Sequence, residues 1–253
     1  MTTTRMKITV VGCSGSFPGP DSPASCYLVE ADGFRLVVDL GSGALGPLQR
    51  HCATGDLDAV LLSHLHPDHC MDVLPLYVAR TYDPVATHSP LPVRGPAGSG
   101  AHLARAYGRC EEPGLTGAFD FLDLTEGRHQ VGPFAVVATR MAHPVETWGL
   151  RIEHGGRSLA YSADTGPCDQ LVSLADRADL FLCEASYREG QDNPANLHLT
   201  GREAGDHAAR AGVRRLVLTH IPVWNDPGEA MDEARSSFPG DIELARSGAS
   251  YEI

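Results

Sequence analysis

Between residues 64 and 69 the chain places three imidazoles and a carboxylate, His64, His66, Asp68 and His69, directly after the apolar run Leu57 to Ser63. Packed this closely, such groups are costly to bury without a common partner. Imidazole nitrogen and carboxylate oxygen are ligands for zinc and comparable divalent metals, so coordination explains their convergence. That constrains the fold. An apolar run that stops at polar donors is a buried strand with a loop at its end, and rigid strand ends can bring sequence-distant ligands together.

The rest of the chain is punctuated in the same way. Strands are expected at Lys7 to Val11, Cys26 to Glu30, Phe34 to Asp39, Leu91 to Arg94, Phe134 to Thr139, Thr147 to Glu153, Arg157 to Ser162, Leu180 to Cys183, Arg215 to Thr219 and Ile242 to Ala245. Ala31-Asp-Gly33 and His154-Gly-Gly156 read as hairpin turns. Helices are expected over Leu45 to Cys52, Val73 to Thr81 with Pro75 near its start, 101 to 108, Leu171 to Arg177, and Pro227 to Ser236. Thr200 and Glu203 form a capping box that should open a helix through Ala211. The proline-rich stretch 83 to 118 is the least regular and is read as a lid or wall over a site. Strands and helices alternate in both halves around early hairpins, which implies a helix-covered sheet rather than a simple doubly wound one.

Three donors follow strand ends: His143 after Thr139, Asp164 after Ser162 and His220 after Thr219. With His64-Leu-His66-Pro-Asp68-His69, they give a seven-residue pattern that resembles the metallo-β-lactamase superfamily over almost the whole chain. The opening Gly12-Cys-Ser-Gly-Ser-Phe-Pro-Gly-Pro20, the segment Tyr161-Ser-Ala-Asp164-Thr, and Cys183-Glu184-Ala-Ser with His198 resemble the branch of ribonuclease Z and small phosphodiesterases. Within that branch the resemblance is to actinobacterial atypical class II cyclic-AMP phosphodiesterases.

The resemblance implies an α+β fold, an αββα sandwich of two mixed β-sheets flanked by helices, with residues 1–253 as one hydrolase domain. It assigns His64, His66 and His143 to one metal, Asp68, His69 and His220 to a second, and Asp164 to both. The two divalent ions are expected to be Zn2+, with Mn2+ or Fe2+ as alternatives. Asp68 is expected to orient water, and His198 to contact phosphate or protonate the leaving oxygen. Glu184 is expected to orient a histidine, while Ser14 and Ser16 are expected to face substrate. The usual glycine before the shared aspartate is Ala163 here, which is harmless at negative φ and strained at positive φ. The remaining histidines, His51, His88, His102, His129, His154 and His207, carry no such constellation and are read as local or surface groups.

The function expected from this pattern is hydrolysis of a small cyclic nucleotide, 3′,5′-cyclic AMP first, by water activated at two metals. Alternatives are another cyclic or linear phosphodiester, transfer-RNA 3′-end cleavage, a thiol ester, or metal-dependent interaction without catalysis. Net charge is −12, which disfavours a long polyphosphate. Only residues 144–163 separate His143 from Asp164, too few for the long arm of the transfer-RNA-processing branch. Both features lead to the expectation that extended nucleic acid is not a partner and that the partners are a small phosphodiester and a second copy in a homodimer. Seven scattered cysteines without a C-x-x-C pair suggest a reducing compartment. Together with the lack of a leader-like or membrane-spanning apolar stretch, this gives a cytoplasmic expectation.

Overall fold

In the computed structural model, which describes residues 5–253, two seven-stranded sheets pack face to face with helices outside both. Residues 1–4, where the reading of a missing leader begins, lie outside the described residues. The first sheet contains β1 (Lys7–Gly12), β2 (Cys26–Ala31), β3 (Phe34–Leu40), β4 (Ala59–Leu61), β5 (Leu91–Gly95) and β6 (Phe119–Asp123). The second contains β7 (Gly127–Val131), β8 (Phe134–Arg140), β9 (Trp148–His154), β10 (Arg157–Tyr161), β11 (Leu180–Glu184), β12 (Arg215–Thr219) and β13 (Asp241–Leu244). The last strand, β14 (Ser250–Glu252), returns to pair with β1.

Each sheet is mixed in the same manner. From β14 through β1 and β2 to β3 the pairing is antiparallel, and from β3 to β6 it is parallel. In the second sheet β7 to β10 are antiparallel and β10 to β13 parallel. This is the expected α+β sandwich.

Alternation along the strands explains the layers. Leu36 and Val38 of β3 face the other sheet and share a core with Leu159, Tyr161 and Leu182, while Val37 between them faces the helices with Leu48 and Leu76. In β11, Leu180 and Leu182 point between the sheets, and Phe181 and Cys183 point outward against Ala204 and Ala208. Strands covered on both faces read as continuous apolar runs. Each fully buried aliphatic side chain contributes about 1.5–3 kcal/mol.

Helices α1 (Leu45–Leu48), α2 (Pro67–Cys70), α3 (Val73–Thr81) and α4 (Ser99–Ala106) belong to the first half. Helices α5 (Asp169–Leu174), α6 (Gly201–Ala211) and α7 (Pro227–Arg235) belong to the second. The Thr200 box is formed, with its hydroxyl accepting from Glu203 N and the Glu203 carboxylate accepting from Thr200 N. Within 83–118 the expected strand is formed as β5 in the sheet and the expected helix as α4 in the outer layer. Strands β6, β7 and β14 were not expected. Asp120 and Asp123 interrupt β6, and β7 carries Arg128, His129 and Gln130 at a sheet edge, so neither has an apolar run to read. All seven cysteines are unpaired. Among the described residues no helix is long and apolar enough to cross a membrane.

Candidate metal centre

Every expected donor sits at one end of the sandwich, where the parallel strands of both sheets finish. His64, His66, Asp68 and His69 follow β4, His143 follows β8, Asp164 follows β10, and His220 follows β12. Pro67 at the first position of α2, with His66 still extended before it, starts the turn that carries Asp68 and His69. Proline suits that position because its fixed φ is helical and no hydrogen bond is lost there. Three strand-end positions take left-handed backbone, Asp39 and His220 at φ 55° and Ala163 at φ 51°. The alanine before Asp164 is therefore strained, at a cost of about 1–2 kcal/mol. Such strain is held where surrounding structure over-determines the backbone.

The donors fall into two groups, His64, His66, His143 and Asp164 in one, and Asp68, His69, Asp164 and His220 in the other. Within each, one ligand atom per residue lies within 4.8 Å of all the others. Asp164 belongs to both groups, with Oδ2 3.6 Å from His64 Nε2 and Oδ1 3.2 Å from His69 Nε2 and 3.4 Å from His220 Nε2. His69 Nε2, His220 Nε2 and Asp164 Oδ1 are buried and have no hydrogen-bond partner. Leaving such atoms unsatisfied costs about 1–3 kcal/mol apiece, and divalent cations between the groups would satisfy all three. The donor set therefore fits two ions.

Electrostatics agree at His64, His143 and His220, whereas at His69 burial is outweighed by the Asp164 and Asp39 carboxylates, which raise the imidazole well above its ordinary range. Burial, reinforced by the neighbouring His69, holds His64 well below the ordinary imidazole range. Burial likewise lowers His143 and His220, which keeps their rings neutral as ligation requires. For Asp164, burial alone would raise the pKa, but His220, His69 and His64 outweigh it and keep the carboxylate charged.

The far nitrogen of four of the five ligand histidines is anchored, which sets ring orientation. His69 Nδ1 lies 2.8 Å from Asp39 Oδ2, His220 Nδ1 2.9 Å from Ser25 Oγ, His143 Nδ1 2.9 Å from the Leu197 carbonyl, and His64 Nδ1 3.1 Å from Ser63 Oγ. Asp39 was missed by sequence reading. It is fully buried at the end of β3 and also accepts from Ser63 N, Ser63 Oγ and Tyr161 Oη. Its signal was present, since a carboxylate closing the apolar run Leu36-Val-Val38 needs a partner.

His198 stands beside both groups, its ring centroid 5.7 Å from those of His143 and His220. Its Nδ1 donates to Glu184 Oε1 at 3.0 Å. Burial disfavours its charge, but the Glu184 carboxylate prevails and the imidazole is pushed up to about 9. Glu184, fully buried at the end of β11, accepts also from Thr165 N, Ser186 N and Leu199 N. It thereby ties His198 to the loop of Asp164. Ser16 lines the cavity that contains His198. Ser14 does not line it; it is buried and its hydroxyl donates to the Phe17 carbonyl. Of the histidines read as local, His207 accepts from Cys168 N and donates to the Glu203 carbonyl, and His88 is 2.8 Å from Asp83.

Two donor groups sharing a carboxylate at the open end of an αββα sandwich define a dinuclear-metal-binding hydrolase. Residues 35–221 match the model described as beta-lactamase superfamily domain, and the chain belongs to that superfamily in its metallo-β-lactamase-fold form. An uncharacterised protein of Mycobacterium leprae is 46% identical over 258 residues, covering 100% of this chain and 90% of that one. The crystal structure of the metallo-β-lactamase-fold protein YhfI from Bacillus subtilis superposes with a TM-score of 0.89 at 30% identity, covering 98% of this chain and 100% of YhfI. A ribonuclease Z of a Mycobacterium species is 30% identical over 265 residues, covering 94% of this chain and 93% of the enzyme.

That last relationship overturns the expectation that extended nucleic acid is not a partner. Net charge is a sum over the whole surface, whereas substrate meets the local field of the donor end, where cations held by His64, His66, Asp68, His69, His143, Asp164 and His220 would set the sign. Bulk acidity and a short His143–Asp164 interval therefore do not exclude a polynucleotide.

Proposed function

We propose that this protein is a two-metal phosphodiesterase acting on a small cyclic nucleotide, with 3′,5′-cyclic AMP as the leading substrate. The observation that carries the reading is a carboxylate, Asp164, common to two ligand groups, with a histidine, His198, hydrogen-bonded to the buried Glu184 alongside them. His64, His66 and His143 would hold one ion, and Asp68, His69 and His220 the other, with Asp164 shared. Imidazole and carboxylate donors favour zinc, with manganese or iron as alternatives. When bound, the ions would supply Lewis-acid stabilisation of the phosphoryl oxygens and lower the pKa of water.

The chain's own groups do the rest. Asp68, the less enclosed carboxylate of the site, orients the attacking water. His198 donates its proton to the ribose oxygen that departs as the phosphate ring opens, and Glu184 holds that imidazole protonated and aimed. Asp39 fixes His69. Ser16, at the cavity beside His198, contacts substrate, while Ser14 braces the turn that presents it.

The test is a turnover screen of metal-loaded protein against cyclic AMP, cyclic GMP, 2′,3′-cyclic nucleotides, an aryl phosphodiester, a thiol ester and precursor transfer RNA. The reading expects the highest kcat/KM on a 3′,5′-cyclic nucleotide. Preference for the thiol ester, or no turnover with two ions bound, would end it. Faster site-specific cleavage of precursor transfer RNA would transfer the same machinery to the substrate named for the ribonuclease Z relatives.

A further inference from the structure

Beside His198 lies a cavity of 480 Å³ whose walls differ in chemistry. One wall is the indole of Trp224, which is 64% exposed although it is the chain's largest side-chain type. Phe17 packs against it with ring centroids 5.0 Å apart, which limits its rotation. On the opposite chemical account, Gln191, Asn193 and Asn225 present amides. Asn193 Nδ2 donates to the Arg188 carbonyl and Asn225 Nδ2 to the Ser186 carbonyl, each at 2.8 Å. Both amides are thereby held in place by one hydrogen bond, and their oxygens remain free to accept. Arg188, the cavity's one cationic lining group besides His198, is engaged by Glu229.

We propose that this cavity is the seat of a heteroaromatic base, stacked on Trp224, with its ring or amino N–H groups directed to the amide oxygens of Asn193 and Asn225. The inference rests on the phosphodiesterase reading and names the part of the substrate that reading leaves open. A purely aliphatic group would leave the amides without partners, and a second anion would find Arg188 already paired. A flat, neutral ring with N–H donors uses both walls. The volume falls within the ordinary range for small-ligand sites. His198 links the cavity to the metal groups, so a ligand with its phosphate at the metals would extend its base toward Trp224.

The chain has two tryptophans, Trp224 and Trp148, the latter 8% exposed, so the part of the ligand response in emission that disappears in Trp224→Phe reports Trp224. Metal-loaded protein is titrated with 5′-AMP and with ribose 5-phosphate, which has the same phosphate and sugar but no base. Saturable quenching by 5′-AMP alone is expected. By calorimetry, Trp224→Ala should bind 5′-AMP roughly 10-fold or more weakly, the scale of one base stack. Its affinity for ribose 5-phosphate should be unchanged, and Trp224→Phe should restore most of the loss. Equal affinity for the two ligands, or 5′-AMP binding by Trp224→Ala at the parent's affinity, overturns the inference. Phosphodiester turnover that continues alongside either result leaves the parent reading standing. Base-dependent quenching without any phosphodiester turnover would uphold the cavity assignment and remove the reading instead.

Discussion

Asp39 Oδ2 lies 2.8 Å from His69 Nδ1, with both side chains fully buried. The same carboxylate joins β3, the Ser63 turn and Tyr161 of the opposite sheet. One strand-end residue thus couples the seam between the sheets to a ligand of the metal end. Asp39→Asn should therefore weaken one metal site by roughly 10- to 100-fold, the scale for losing a partner of a ligand histidine. Competition with a chelating dye, on protein whose circular dichroism matches the parent, checks this. Parental affinity would show that His69 is oriented by packing alone.

Asp164 is shared and His143 is not. Asp164→Ala should lower occupancy of both ions, and His143→Ala should lower chiefly one. Metal content after identical desalting distinguishes them. Two equivalents retained by the Asp164 variant would remove the bridging assignment.

The Glu184–His198 pair predicts a pH effect with a definite sign. His198 is raised from 6.5 to about 9, so its proton-donating form persists into alkaline solution. Glu184→Gln removes the charge that favours that form, so His198 loses its proton at lower pH. The alkaline limb of kcat should then move toward acid by roughly one unit or more, the usual size for a neighbouring charge. A limb that stays in place in a variant that keeps its metals would separate Glu184 from the proton donor.

His198→Ala should keep two metals and lose roughly 100-fold or more in turnover of cyclic AMP, within the range for general acid catalysis. On an aryl phosphodiester, whose leaving group needs no proton, the deficit should shrink. Equal deficits on both substrates would indicate phosphate positioning, and loss of an ion would make His198 a ligand.

Much of this centre is legible in one dimension because its donors are chemically conspicuous. His64 to His69 are too dense to be incidental, and His143, Asp164 and His220 each follow an apolar strand that explains their position. Asp39 and Glu184 are less visible, since a lone carboxylate after a strand has many uses. Their roles depend on the partners that reach them, Tyr161 across the sandwich and His198 on a later loop. Trp224 carries no sequence signal at all: its loop becomes a cavity wall only when the segments of Ser16, Tyr187 to Leu197 and Pro222 to Asn225 meet.

The amino-acid sequence by itself determined the donor types, their placement at strand ends and the apolar strands that require a helix-covered sheet. These are properties of neighbouring residues, set by side-chain chemistry and by the period-two alternation of a strand. Tertiary structure decided which donors share an ion, which nitrogen each histidine presents, that Ala163 adopts left-handed backbone, and which side chains enclose the space beside His198. Those are through-space relations, such as the Asp39–Tyr161 bond between residues 122 positions apart. They come into being only when the two sheets pack and fix the distances and angles on which coordination and hydrogen bonding depend.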